Sequence, residues 1–469
     1  MTEPFRSWWL PTESAIRPET GVMDGLEVAV LDQGKADRLL DQLEGAAEGL
    51  LSIPAVERAR RLGVIGARLA DPGDSLHQRA LAWLPAQAGL SLPVARQLLT
   101  RMAPQWTSGA LERLLHLEFP DPRVLDGFRP RPEAGDRVRA LGDRVALHVG
   151  AGNVAGVGVS SLLRSLLVGT PLVLKPGRGD VVLPMLAAEA LSAAFAEAAE
   201  ALAVVYWPGG AGGSLEARGL ARAGRVVVYG GMDTVAELRS RLPPQTPLIP
   251  YHHRISAAAL GREVLRGEEA GRTAAAAARS VAAYDQQGCV SPHVFWVERG
   301  GEVTPEDWGR MLAGELEAVG SRLPSLPTAE VAARIQAVRG EAELEAAMGS
   351  GTLLFTPDHA GWTVICEPHF AFTGGCGGRT ARVQGVEDLE DLCDLLPKLR
   401  GILQSVALEC PEPRRSQIAE GLVAAGATRI TTLDRQPWPD PWWIHDGAGP
   451  LRVLVRWASD EGPAAATVP

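Results

Sequence analysis

The sequence has few cysteines and no arrangement of them that suits a metal. Five cysteines occur in 469 residues, all in the second half of the chain, and none forms a CxxC pair. This spacing argues against a zinc domain, and the odd, scattered set argues against a disulfide framework. A reduced, cytoplasmic protein without a metal is expected.

Long apolar runs and an excess of positive charge are also missing. The most apolar segment, residues 154–169, is short and contains Arg164, so no membrane span is predicted. The first residues, MTEPFRSWWLPTES, lack the basic start and apolar run of a signal peptide. The net charge of −10 argues against nucleic acid or an anionic membrane as the main partner.

Most of the chain alternates between short apolar runs and helical segments. Residues 36–118 carry leucines at helical spacing, and strand-like runs alternate with helical ones from residue 145 onward. This alternation predicts an α/β protein with mainly parallel sheets. A chain of this length is expected to form two or three packing units. The last predicted strand is LRVLVRW (451–457), followed by a loose tail.

One glycine-rich turn joins a strand to a helix in HVGAGNVAGVGVSSLLRSLL (148–167). Four glycines between 150 and 158 would let the backbone approach a ligand. Asn153 falls at the carboxyl end of the strand, where open α/β sheets bind ligands. The spacing is not GxGxxG, however. The alternative is that these are ordinary turn glycines and that Asn153 caps the helix.

Two more strand ends carry groups that could bind a nucleotide. Lys175 ends the run LVLK, and Arg178 follows in a glycine turn. Such cations can hold ribose hydroxyls or phosphate, although a solvated strand end would look the same. Gly230 and Gly231 precede a helix whose amides could face a phosphate.

The segment YDQQGCVSPHVFWVE (284–298) places Cys289 just before a strand. A lone cysteine is usually buried and inert. Glutamines and a glycine surround this one, which favours an exposed turn whose amides stabilise a thiolate and an oxyanion. The residues alone leave both interpretations open.

The order of these features resembles the aldehyde dehydrogenase superfamily. The details are most similar to its acyl-CoA reductase branch, the fatty-acid reductases of bacterial luminescence. The similarity is carried by HVGAGNVAGVG, by DQQGCVSP, and by WWIHDG followed by LVRW near the C-terminus. It covers roughly residues 125–460.

The resemblance implies an aldehyde dehydrogenase-like fold with two parallel-sheet domains. Residues 1–250 would hold a helical N-terminal region and the dinucleotide-binding domain. Residues 251–435 would form the catalytic cysteine domain, and 436–469 a C-terminal loop and strand. That strand and others within 128–147 would form a small β extension for homo-oligomerisation.

The resemblance also implies a reaction. Cys289 would attack an acyl thioester, either acyl-CoA or acyl-protein, and coenzyme A would leave when acyl-CoA is the substrate. NADPH would then reduce the acyl-cysteine to an aldehyde. Asn153 would donate to the oxyanion, and Lys175 would hold the adenosine ribose. In luminescence systems the reductase works with an acyl-protein synthetase, which implies such a partner here.

The chain departs from the superfamily pattern in two informative places. Hydrolytic members carry a glutamate base where residues 247–262 of this chain have no carboxylate. Without a base to activate water, an acyl-cysteine survives to accept hydride, which favours a thioester reductase. His252, His253 and the C-terminal His445 beside Asp446 are candidates for acid–base help, with packing histidines as the alternative.

Arg178 is the second departure. NAD-preferring members tend to have a glutamate here, whereas an arginine would pair with a 2′-phosphate, so NADPH is the predicted cofactor. Glu367 is a poor match to the glutamate that holds the nicotinamide ribose. Two alternatives remain: a CoA-acylating aldehyde dehydrogenase working in the oxidative direction, and a non-redox acyl-transfer protein.

Overall fold

The computed structural model describes residues 3–12, 15–210, 213–252, 254–368, 370, 375–399 and 401–462, except for the side chains of 397 and 398. Among the described residues, no helix combines the length and the apolar character needed to cross a membrane. Residues 33–118 are mainly helical, and strands alternate with helices from residue 146 onward, as predicted.

The α-helices are α1 Gln33–Leu51, α2 Ala55–Leu62, α3 Val64–Ala70, α4 Ser75–Ala88, α5 Leu92–Met102, α6 Ser108–Glu118, α7 Val157–Leu167, α8 Val182–Ala194, α9 Ala196–Glu200, α10 Ser214–Arg222, α11 Met232–Arg241, α12 Gly267–Ala282, α13 Pro305–Arg322, α14 Ala329–Ala347, α15 Leu392–Leu395 and α16 Arg414–Ala424.

The strands are β1 Phe5–Arg6, β2 Trp8–Trp9, β3 Glu19–Met23, β4 Leu26–Val30, β5 Arg129–Arg131, β6 Asp136–Leu141, β7 Ala146–Val149, β8 Leu172–Lys175, β9 Leu202–Val205, β10 Arg225–Gly230, β11 Leu248–His252, β12 Ile255–Leu260, β13 Pro292–Glu298, β14 Leu353–Phe355, β15 Thr363–Glu367, β16 Thr380–Val386, β17 Leu403–Glu409, β18 Arg429–Thr431 and β19 Arg456–Asp460.

The first large sheet has the strand order β11-β10-β7-β8-β9-β2 and is parallel except for β2. Strands β7, β8 and β9 are buried along their whole length, as expected for central strands covered by helices on both faces. Their carboxyl ends lie at one edge of the sheet. The glycine turns at 150–153, 176–179 and 230–231 follow three of these strands.

The second large sheet has the order β14-β15-β16-β13-β12-β17-β18 and is parallel except for β14. Only residues 253 and 254 separate β11 of the first sheet from β12 of the second. The polypeptide therefore passes directly from the carboxyl edge of the first sheet to the amino edge of the second. The Cys289 loop enters β13 at that amino edge.

A small antiparallel sheet of order β19-β6-β5 stands apart from the two large ones. The sequence predicted its last strand at 451–457, but β19 runs over Arg456–Asp460 and residues 452–454 form a short 3-10 helix. The predicted strand begins too early, because the position of β19 is set by its pairing with β6. Arg456 lies opposite Leu141, and Asp460 lies opposite Arg137. Part of the tail predicted to be loose is thus a strand.

Candidate active site

The backbone just before Cys289 adopts an uncommon conformation. Tyr284, Asp285 and Gln286 have φ of 53°, 51° and 61°, the left-handed region that non-glycine residues seldom adopt. Such strain persists only where neighbours hold it, and it clusters at functional sites. The loop that presents Cys289 is therefore fixed by its surroundings.

Two buried side chains, those of Gln286 and Asp285, hold this loop in place. The Gln286 amide donates to the carbonyl oxygens of Pro292 and Thr380, 2.8 Å each, and accepts from the Thr380 N–H at 2.7 Å. Asp285 forms a buried ion pair with Arg379. The polarity of Gln286 was interpreted above as a sign of exposure. That interpretation is wrong for this residue, since it is buried and fastens the loop to β16.

Cys289 itself is half-buried and lines a cavity of about 680 Å³ between the two large sheets. The Ser256 hydroxyl donates to its carbonyl oxygen at 2.7 Å. Burial raises the pKa of the thiol to about 11, and the charge of Asp446 adds to that rise. A hydrogen bond with the Gln404 side chain acts in the opposite direction. The resting thiol is therefore protonated at neutral pH.

Asn153 reaches the same loop from the first sheet. Its side-chain Nδ2 donates to the Gln287 carbonyl oxygen at 2.7 Å, and its side chain lines the cavity with Cys289. One bond uses one of the two amide hydrogens, so the second is available to a ligand. Asn153 does not cap the following helix, which corrects that alternative.

The cap of α7 comes instead from Asp180. Its two carboxylate oxygens accept from the N–H groups of Gly156 and Gly158, at 2.6 Å each. Burial raises the Asp180 pKa to about 7, while these two amides oppose the rise. The amino terminus of α7 is thus occupied by the protein's own carboxylate.

The glycines of the two neighbouring turns pack backbone against backbone. A Cβ on Gly177 would lie 2.2 Å from Ala151 and Gly152 backbone atoms, and one on Gly179 would lie 2.1 Å from the Gly152 oxygen. A Cβ on Gly152 would meet the Arg178 nitrogen at 2.9 Å. Gly152 is therefore required for packing between the two turns, and its approach to a ligand stays a prediction. These glycines let the asparagine turn rest on the lysine–proline turn.

The carboxyl edge of the first sheet carries the groups that fit a dinucleotide. Lys175 is a largely buried residue; its ammonium lies 5.8 Å from the Tyr206 ring centre and has no carboxylate within 4 Å among the described residues. Burial lowers its pKa, partly offset by Glu216. Gly231 begins α11 with open space around it. An ammonium without an ion pair keeps N–H groups that could bind a polar ligand such as ribose hydroxyls.

Arg178 lies at the same edge but is already paired. Its Nη1 is 3.2 Å from the Asp24 carboxylate, and both side chains are exposed. Asp24 sits at the tip of the β3–β4 hairpin with φ 52°. Exposed pairs of this kind contribute about 0–1 kcal/mol, so a phosphate could compete for Arg178.

The C-terminal loop brings His445 to the cavity wall. Its ring stacks between Tyr251 and Trp443, with ring centres 4.3 Å from each. Burial lowers the His445 pKa well below its usual range, so the ring is neutral and cannot donate as an imidazolium at neutral pH. His252 also lines the cavity. His253 lies outside the described residues.

Asp446 lies behind this wall and takes part in a series of polar contacts that leads to Cys289. Its Oδ1 accepts from Gln404 Nε2 at 2.7 Å and is 3.0 Å from Arg254 Nε. Gln404 in turn contacts the Cys289 thiol. These contacts link Cys289, the candidate nucleophile, to the Asp446 carboxylate, whose pKa is raised by burial.

One wall of the cavity is apolar. It comes from the N-terminal helical region and α7, and includes Met102, Trp106, Leu111, Leu114 and Leu163. These residues could not be identified from the sequence, because apolar residues at helical spacing look the same whether they face a core or a cavity. The wall suits an alkyl chain.

Two carboxylates line the cavity among the described residues, and both are ion-paired. Asp285 pairs with Arg379 and Asp440 with Arg435, the latter at 3.0 Å. Only the Asp285 pair is buried, so that carboxylate is held by its partner, whereas the Asp440 pair is exposed and correspondingly weak. Glu367 does not line the cavity and pairs with Arg382 on the neighbouring strand.

A separate acidic group, Glu298, Asp388 and Glu390, has the spacing of a metal site. Arg414 pairs with Glu298 and Glu390, and Arg262 pairs with Glu298 and Asp388. Two guanidinium groups already compensate these carboxylates, so the cluster is an ion-pair network.

Comparison with known proteins shows the family of the chain. A family model described as acyl-CoA reductase (LuxC) matches residues 65–457. The chain belongs to this family. A long-chain acyl-protein thioester reductase from Aliivibrio fischeri is 24% identical over 365 residues, covering 76% of this chain and 72% of the relative. One from Photorhabdus luminescens is 27% identical over 191 residues, covering 39% of this chain and 38% of the relative.

Solved structures agree on the fold. Aldehyde dehydrogenase 21 from Physcomitrella patens has a TM-score of 0.73 at 13% identity, covering 99% of this chain and 100% of that one. An NAD-dependent benzaldehyde dehydrogenase from Corynebacterium glutamicum has a TM-score of 0.68 at 15% identity and covers 97% of each chain. The predicted aldehyde dehydrogenase-like α/β fold and the predicted family are confirmed.

In this acyl-CoA reductase family member, we expect Asp446→Asn to make Cys289 more reactive. The Asp446 charge raises the thiol pKa, so removing it lowers that pKa. Asparagine keeps an oxygen to accept from Gln404. Each unit of decrease gives about ten times more thiolate at pH 8. Iodoacetamide labelling of Cys289 as a function of pH measures the shift, with the exposed Asp434→Asn as control. Unchanged or slower labelling contradicts the coupling.

Proposed function

We propose that this protein reduces an acyl thioester to an aldehyde with NADPH, through an acyl-cysteine on Cys289. The observation that carries the proposal is the position of Cys289, in a cavity with an apolar wall on one side and the dinucleotide edge on the other. The net reaction is R–CO–SR′ + NADPH + H⁺ giving RCHO + R′SH + NADP⁺. Membership in the acyl-CoA reductase family supports it.

The first step transfers the acyl group to the protein. Cys289 Sγ bonds to the thioester carbon, and the carbon–sulfur bond to the carrier thiol breaks. The proton that leaves Cys289 ends on the departing thiol, coenzyme A when acyl-CoA is the substrate. With a thiol pKa of about 11, deprotonation accompanies attack. The Gln404 contact supports the developing thiolate.

Asn153 and the Cys289 backbone N–H are proposed as the oxyanion donors. Both the tetrahedral intermediate of acyl transfer and the later thiohemiacetal carry negative charge on the former carbonyl oxygen. The free Asn153 N–H on the cavity side is suited to that charge, because its other hydrogen bond to Gln287 fixes the amide.

Lys175, Gly230 and Gly231 are proposed to hold the dinucleotide at the carboxyl edge of the first sheet. When bound, the cofactor supplies the hydride that converts the acyl group to the aldehyde level. A solved structure with a similar fold, that of a methylmalonate-semialdehyde dehydrogenase from Sinorhizobium meliloti, is a complex with NAD. The absence of a carboxylate from residues 247–262 and the buried ion pair that holds Asp285 support reduction over hydrolysis, because both limit the activation of water.

Arg178 is proposed to select NADPH. We expect Arg178→Ala to raise KM for NADPH about tenfold and to leave KM for NADH nearly unchanged, because a charge-assisted phosphate contact is lost. Asp24→Asn, which frees Arg178 from its ion pair, should lower KM for NADPH. A clear preference of the unaltered protein for NADH would contradict this assignment.

The apolar wall supports a long-chain or otherwise bulky acyl substrate. Acyl-CoA and acyl-protein are both candidates, and an acyl-protein synthetase is proposed as a partner in the second case. The experiment is NADPH oxidation with a panel of acyl-CoAs of rising chain length. No turnover with any acyl thioester would end the proposal.

Homo-oligomerisation through the β19-β6-β5 sheet is also proposed. Trp457 on β19 and Phe128 beside β5 are exposed apolar side chains, and strand edges with exposed aromatic groups are typical contact surfaces. A cytoplasmic location is proposed because the chemistry requires a free thiol.

A further inference from the structure

A second pocket, of about 200 Å³, lies beside the catalytic cavity. It is formed by α16, β18 and the loop that follows β18. Its charged and aromatic side chains are Arg415, Arg429, Arg435, Asp440, Trp442 and Trp443. Three guanidinium groups against one carboxylate make this pocket basic in a chain whose net charge is −10.

Two of these arginines are held by backbone oxygens and have no carboxylate within 4 Å among the described residues. Arg429 donates to the carbonyl oxygens of Gln436 and Arg435, 2.8 Å each. Arg415 donates to the Thr431 carbonyl oxygen at 3.2 Å. Each guanidinium is thus oriented, keeps unused N–H groups and has no ion-pair partner among the described residues. Burial, and then the nearby Arg435, lower the Arg429 pKa to about 10.

The pocket adjoins the reaction site. Asp440 and Trp443 line both the pocket and the catalytic cavity. The Arg429 charge is close enough to Cys289 to lower the thiol pKa. Trp443 also stacks on His445, so one tryptophan forms the partition between the two spaces.

We propose that this basic pocket binds the phosphate of a phosphopantetheine arm that delivers the acyl thioester. The inference rests on the proposed function. Such an arm carries its thioester at one end and its phosphate at the other, so its phosphate must bind outside the reaction cavity but beside it. Arginine matches phosphate oxygens with paired N–H groups, and the tryptophans offer apolar surface to the arm. Coenzyme A and a phosphopantetheinylated carrier protein share this chemistry.

The test compares a thioester that lacks the phosphate with two that carry it. Dodecanoyl-pantetheine, dodecanoyl-phosphopantetheine and dodecanoyl-CoA are assayed with the unaltered protein and with Arg415→Ser. We expect this variant to raise KM about tenfold for the two phosphorylated substrates, with kcat and the KM for dodecanoyl-pantetheine unchanged. Arg415→Lys should recover part of the loss. Arg272→Ser, which removes a surface arginine paired with Glu269, is the control.

Asp440→Asn provides a test in the opposite direction. Removing the one carboxylate at the pocket should lower KM for the phosphorylated substrates relative to KM for dodecanoyl-pantetheine, a change in ratio that loss of structure would not produce. A dodecanoyl-carrier protein that responds to Arg415→Ser more strongly than dodecanoyl-CoA would identify the carrier protein as the source of the phosphate.

Equal KM changes for phosphorylated and unphosphorylated thioesters overturn the inference, as does no change. A shift in oligomeric state of Arg415→Ser without a KM effect overturns it in favour of a contact between copies of the chain. If the unaltered protein reduces none of the thioesters, including dodecanoyl-pantetheine, the proposed function fails. In that case, equal binding of coenzyme A to Cys289→Ala and to its Arg415→Ser double variant overturns the pocket assignment separately.

Discussion

Cys289→Ala is expected to reduce acyl-CoA-dependent NADPH oxidation to background, a loss of at least about a thousandfold. Alanine cannot form the acyl-enzyme, and no other group in the described part of the cavity is positioned by a comparable loop. Stability should change little, because Cys289 is half-buried and its backbone bond to Ser256 remains.

Cys376→Ala is the matched control for this result. Cys376 lines the same cavity, and its sulfur lies 3.2 Å from the Thr380 hydroxyl. The proposed reaction does not use it, so this variant should retain most of its activity. Full activity in Cys289→Ala, or equal losses in both variants, would remove Cys289 from the mechanism.

Asn153→Ala is expected to lower kcat about a hundred- to thousandfold with a small change in KM. Loss of one preorganised oxyanion donor typically has this effect, since the donor acts mainly in the transition state. The melting temperature should move by only a few degrees, because the side chain is exposed and makes one hydrogen bond to a loop carbonyl. Steady-state kinetics and thermal unfolding together measure both quantities.

A large fall in melting temperature with unchanged kcat would give Asn153 a structural role. Asp180→Asn helps to separate an effect on melting temperature from an effect on kcat. Asp180 caps α7 through Gly156 and Gly158, so its variant should lower stability and displace the asparagine turn together. Asn153→Ala should not lower stability to the same extent.

Local patterns made the large features of the fold predictable. Buried apolar runs and the glycine turns after them marked the carboxyl ends of β7, β8 and β10, and the order of the turns led to the family. The turns after β7 and β10 lie beside the cavity, and the turn after β8 lies along the same sheet edge.

Contacts between distant segments could not be predicted in this way. Asp180 caps a helix that begins before it in the sequence, and Gln404 reaches Cys289 only because β17 pairs with β12. Gln404 did carry one signal, as a polar residue in an otherwise apolar run. The apolar wall from Met102 to Leu114 carried none, because packing against a core requires the same residues.

Mass spectrometry of the protein after incubation with dodecanoyl-CoA, without NADPH, tests the central claim most directly. The account predicts one dodecanoyl group per chain, located on the peptide that contains Cys289, and its release as dodecanal when NADPH is added. An acyl group on another residue, no acyl group at all, or release as free dodecanoic acid instead of the aldehyde would contradict it.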